Sequence, residues 1–161
     1  MDWLLFFTFL VTCFAAGSTG ALFSPGDWYL SLRKPVWTPP AFVFPLTWTT
    51  LYFLMAWSAS RVANLPDSGQ AMAFWGLQIA LNTLWTPVFF GLHRLGGGMI
   101  VIILLWLSVA ATMFAFFTLD YWSGMMLAPY LLWVTIAAML NLRVWQMNPG
   151  QRPVDTSRTA A

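Results

Sequence analysis

Apolar residues in this chain neither alternate with polar ones nor keep to a narrow stripe. They fill whole stretches of about twenty residues, at 3–23, 42–60, 70–92, 99–119 and 121–142. Runs of that length suit helices that cross roughly 30 Å of hydrocarbon. The two-residue alternation of a membrane β-barrel is absent. The pattern predicts an all-α membrane protein, a bundle of five transmembrane helices forming one domain over residues 1–147. Beyond Trp145 the composition turns to Pro, Gly, Gln, Arg and Thr, and residues 148–161 read as a disordered polar tail. The first run opens Met-Asp-Trp, without the basic segment and small-residue cleavage site of a secretory leader, and is kept as a span.

The connections between runs differ in character. Residues 24–41 hold four prolines together with Arg33 and Lys34, whereas residues 64–69 are short and turn-like. Residues 93–98 end in a triple glycine, and Asp120 alone separates the last two runs. Five crossings put the termini on opposite sides. Arg33, Lys34, Arg94, Arg143, Arg152 and Arg158 then share the C-terminal side, and only Arg61 lies on the other. The excess of positive charge places the C-terminus and the proline-rich loop in the cytoplasm, with the N-terminus outside.

Composition sharpens the picture. With 60% hydrophobic and 7% charged residues the chain cannot build a water-soluble surface, and a net charge of +2 implies no nucleic-acid partner. Cys13 and His93 are the only residues of their kinds, which leaves no disulfide within the chain and no metal cluster. No Asp, Glu, Lys, Arg or His falls within the five runs. Ion-coupled pumping and acid–base hydrolysis both need such groups, so neither is expected and no catalytic residue is assigned. Eleven tryptophans exceed what anchoring at the bilayer surface requires. The surplus indole surface suggests a site for a flat aromatic ligand.

Three constellations carry that suggestion. Prolines stiffen the loop around Arg33, Lys34, Trp37, Pro39 and Pro40, which suits a lid bearing two cations for an anionic ligand group. The same residues suit an interfacial aromatic belt touching lipid headgroups. In the third run Gln78, Asn82, Trp85 and Phe89 recur at steps of four, three and four, so they share one helical stripe. Buried amides need partners, which turns this stripe inward, either toward a ligand or toward a neighbouring helix. Pro87 should kink the helix there. Trp48 and Tyr52 form a pair in the second run, and Tyr130, Trp133, Ala137 and Asn141 form a stripe in the fifth. Aromatic stripes serve packing as readily as ligand contact. Finally, Ala73, Gly76 and Ala80 make a small-residue strip on the third run, the expected contact of a homodimer.

Several blocks carry a resemblance: residues 34–40 (Lys-Pro-Val-Trp-Thr-Pro-Pro), 48–52, 81–90, 129–133, and the pair Leu140-Asn141. In that order, and across almost the whole chain, they resemble the TspO/MBR family of tryptophan-rich sensory and translocator proteins. Residues 85–91 and 109–120 look most like members from photosynthetic proteobacteria. The resemblance implies a multi-pass protein of a bacterial membrane, most naturally the inner one, and usually a homodimer. It implies binding of tetrapyrroles such as protoporphyrin IX and haem, of benzodiazepine-type synthetic ligands and of membrane sterol, with no obligatory cofactor. By motif, Trp48, Asn82, Trp85, Trp133 and Ala137 would line the pocket, with Trp37 and its prolines in the lid. The implied role is a sensor or regulator of tetrapyrrole metabolism, photosynthesis or stress response, with light-dependent porphyrin degradation as a possible accompaniment; a tetrapyrrole transporter is the alternative. The family's sterol segment has Tyr and Arg where this chain has Leu142 and Gln146, so sterol is expected to bind weakly.

Overall fold

The computed structural model describes residues 2–151 and Pro153. Most of the expected tail, with Arg152 and Arg158 from the charge argument, lies outside the described residues. The elements run in order α1 (Trp3–Leu22), α2 (Asp27–Ser31), α3 (Val43–Val62), α4 (Gly69–Thr86), a π-helical turn (Pro87–Gly91), α5 (Leu95–Leu119) and α6 (Tyr121–Met147). Among the described residues there is no strand. By length and composition α1, α5 and α6 are apolar enough to cross a membrane.

Short connections make sequence neighbours into spatial ones. α5 packs along α6 and α4 along α5, while α1 lies against α3 and α3 also meets α6. The solid half of the bundle is the end away from α2. There Met55, Ala59, Val62, Val109 and Phe116 are wholly inaccessible. Asp120 fastens that end. Its carboxylate accepts from the Ser123 backbone N–H at 3.2 Å, capping α6, and pairs with the Arg61 guanidinium at 2.8 and 3.1 Å.

Four local features depart from the sequence reading. α5 begins at Leu95, not beyond the triple glycine, because those glycines mark close packing here and not a turn. A Cβ on Gly98 would sit 2.8 Å from Phe89 and 2.9 Å from Asn141 Oδ1. α6 runs on to Met147, five residues past the end of the apolar run, since Arg143 and Gln146 can point outward from a helix end. The proline-rich loop, read only as stiff, contains the short α2, which Gly26 and Asp27 initiate. At Pro87 the helix does not simply kink. Its hydrogen bonding widens by one residue, with Leu92 N–H donating to the Pro87 carbonyl at 2.9 Å.

Candidate functional site

At the α2 end the helices splay apart around a cavity of about 900 Å³. Its walls are aromatic and come from every long helix. α3 supplies Phe44, Trp48 and Tyr52; α4 and the π turn supply Asn82, Trp85 and Phe89; α6 supplies Trp133, Ala137 and Asn141. The widened turn is what allows Phe89 and Phe90 to reach this space together. Trp85 stacks on Phe89 at 5.0 Å and meets Phe90 edge-on at 5.7 Å. Across the cavity, Trp133 meets Phe44 edge-on at 5.6 Å, and Trp48 leans on Tyr52 at 5.6 Å.

Of the expected site residues, the structure gathers Trp48, Tyr52, Asn82, Trp85, Trp133, Ala137 and Asn141 on this one wall, with Lys34 and Pro39 toward the loop. It does not bring Gln78, Tyr130, Trp37, Pro40 or Arg33 to the lining. Gln78 and Tyr130 lie behind it, each 1% exposed. The Tyr130 hydroxyl donates to Gln78 Oε1 at 2.9 Å and accepts from Asn82 Nδ2 at 3.1 Å, which stitches α4 to α6. These amides therefore do the helix-joining work that the sequence left as an alternative, and Asn82 does both. Trp37 and Pro40 sit on the exposed outer side of the loop. The strip of Ala73, Gly76 and Ala80 is exposed on the outside of α4, where a Cβ on Gly76 would meet nothing.

The loop is held over the cavity by three devices. Leu32 is buried among Phe89, Leu95, Leu140 and Val144. Asn148 exchanges hydrogen bonds with the Arg33 main chain, accepting from its N–H at 3.0 Å and donating to its carbonyl at 2.9 Å, and also donates to the Val144 carbonyl at 2.7 Å. Trp28 stacks flat on His93 at 4.1 Å. His93 pays a backbone cost for this position, with φ at 53°.

Charge in the lining comes from one residue. Lys34 is the single charged side chain among the described lining residues. Its ammonium donates to the carbonyls of Leu30 and Leu32 at 3.3 and 3.2 Å and sits 4.5 Å from the centre of the Tyr29 ring. Burial pushes the Tyr29 phenol up, so it stays neutral beside that cation. Three buried polar atoms of lining residues have no hydrogen-bond partner within the described chain: Trp85 Nε1, Trp133 Nε1 and Asn141 Oδ1. The other end of the Asn141 amide is occupied, donating to the Leu95 carbonyl at 3.0 Å. Each of these atoms is itself covered by protein, so a guest in the aromatic box would reach them only after a small side-chain shift.

Sequence reasoning, which counted Trp28 and Tyr29 among the loop's aromatics, missed Phe44 and the inner face of α1, where residues 15–21 are all small. That small run was a visible signal. Asn148 carried none, because it meets the loop only through the fold.

Comparison with known proteins agrees with the motifs. The model of the TspO/MBR family matches residues 9–146. The protein CrtK of Rhodobacter capsulatus is 54% identical over 96% of this chain and 99% of its own. A tryptophan-rich sensory protein of Cereibacter sphaeroides is 55% identical over 92% of this chain and 94% of its own. The translocator protein of Homo sapiens is 34% identical over 83% of each. On this similarity along nearly its whole length, the chain belongs to the TspO/MBR family.

Proposed function

We propose that this protein is a membrane receptor for a tetrapyrrole such as protoporphyrin IX or haem, acting as a sensor or regulator, with no obligatory cofactor. The observation that carries the reading is the aromatic cavity with its single cation at the loop end. About 900 Å³ falls within the roughly 300–1,000 Å³ of ligand clefts. A flat macrocycle would lie against Trp48, Trp85 and Trp133. Its ring nitrogens and N–H groups would pair, on a side-chain shift that uncovers them, with the indole donors and the Asn141 acceptor, each of which costs about 1–3 kcal/mol if left buried and unpaired. A carboxylate would meet Lys34 and not Arg33, whose backbone is held by Asn148 while its side chain faces away. Five membrane crossings, a cytoplasmic loop and C-terminus, a bacterial inner membrane and pairing through α4 complete the reading. Benzodiazepine-type ligands would share the cavity, and a sterol would bind weakly.

Titration of the detergent-solubilised protein with protoporphyrin IX tests this. Saturable quenching of tryptophan fluorescence is expected. Replacing Trp48 and Trp133 together by alanine should weaken binding at least tenfold, about 1.4 kcal/mol. An unchanged affinity would place the ligand elsewhere. Relatives named translocator protein favour carriage of the same ligand as a second reading. Porphyrin flux into sealed proteoliposomes separates the two.

A further inference from the structure

The cavity has a flank as well as a mouth. Phe14, Gly17, Ser18 and Ala21 of α1 line it at helical spacing, and so do Pro45, Trp48, Thr49 and Tyr52 of α3. The two stripes face each other along the α1–α3 seam. At its deep end the seam is shut. A Cβ on Gly17 would lie 2.5 Å from the Tyr52 ring, and Phe14 packs edge-on against Tyr52 at 5.7 Å and Phe53 at 6.1 Å.

Nearer the loop the seam is open. Ser18, Ala21, Pro45 and Thr49 line the cavity and are exposed. Lining residues this exposed mark the lips of an opening. At the end of α1, Phe23 packs against Gly91, its ring 2.7 Å from where a Cβ would stand. That contact ties the end of α1 to the π turn. The run Ala-Ala-Gly-Ser-Thr-Gly-Ala at 15–21 has no bulky side chain to refill the gap. The mouth, by contrast, is covered by a loop tied down through Leu32 and Asn148.

We propose that this slot is a side entrance through which a flat amphiphile dissolved in the bilayer passes directly between lipid and cavity. The slot opens along the sides of helices whose outer faces are apolar, so lipid chains and not water lie against it. A planar macrocycle with carboxylates at one edge partitions into the bilayer with that edge at the headgroups. Entering sideways, it keeps its apolar face in a greasy medium throughout and carries its carboxylates toward Lys34 at the loop end. A water-dissolved solute gains nothing from such a route. The inference rests on the proposed ligand site.

The test uses the full chain in lipid nanodiscs with protoporphyrin IX as probe and tryptophan quenching as signal. Thr49→Cys and Ser18→Cys place a thiol on either lip, and Val36→Cys places one on the fully exposed outer side of the loop. Native Cys13 is fully buried and does not compete for reagent. Each variant is compared with itself before and after coupling a bulky maleimide. Labels at 49 and at 18 are expected to slow association and dissociation together by about tenfold or more, while a label at 36 changes both by less than about twofold. Unaltered rates with labelled lips, or slowing only from position 36, overturn the side entrance and leave the receptor intact. Absence of quenching in the unmodified protein removes the receptor, and this route with it.

Discussion

Every cavity tryptophan offers a face and an N–H, and a single substitution separates them. Trp133 is 8% exposed, its ring held edge-on by Phe44, and its Nε1 has no partner among the described residues. Phenylalanine keeps most of the apolar contact and removes the donor. Trp133→Phe should therefore weaken protoporphyrin binding by about 1 kcal/mol, roughly fivefold, while the ligand-free melting temperature stays level or rises, because an orphaned donor has been deleted. Titration and thermal unfolding of the same sample check both halves. A drop in both would mean that the indole works by bulk alone. At this scale the sequence put Asn82 and Trp85 on an inward stripe, and both line the cavity. The sequence was ambiguous for Gln78 and Tyr130, since a buried amide and a phenol satisfy each other as readily as a ligand, and only three-dimensional proximity decides which occurs.

Between elements, small polar contacts set the geometry that the apolar runs leave free. Asp120 joins α3 to the start of α6, and the Arg61 hydrogen bond, aided by Ser123, holds its carboxyl well below the usual value, at about 2. A carboxyl with a lowered folded pKa stabilises the fold above its ordinary pKa near 3.8 and loses that contribution as the pH falls toward 2. Asp120→Asn keeps a helix cap but loses the ion pair, a partly exposed one worth about 0.5–1 kcal/mol. The variant should melt below wild type at pH 6, and the gap should close near pH 2. At the other end, Asn148→Ala removes the tie between the loop and α6. Trypsin should then cut after Arg33 about fivefold faster while the melting temperature moves little, because water replaces the exposed hydrogen bonds. Helix positions were largely legible, since apolar runs dictate them. The start of α5 was not, because Gly96, Gly97 and Gly98 carry the local signature of a turn while serving as a surface for Trp145, Phe89 and Asn141. Tertiary contact overruled local preference there.

On the scale of the molecule, the bundle is solid at one end and hollow at the other. A surface cleft of about 410 Å³, edged by Asp2, Trp57, Arg61 and Asp120, lies on the outside of the solid end and shares no lining residue with the cavity. The outer face of α4 is the place where a second copy would fit. Gly76→Leu with Ala80→Leu should convert dimers to monomers in detergent, read by light scattering, and an unchanged mass would reassign the strip to lipid. That an aromatic cavity lies between α3, α4 and α6 could be anticipated from three inward stripes. Its flank along α1 could not, since small residues announce closeness without saying to what. The union of Asn148 with Arg33 has one further implication. The end of α6 and the cover of the hollow are fastened to each other, so a guest that lifts the cover should shift Asn148 with it, and a label placed beside that residue would feel whether the chamber is occupied.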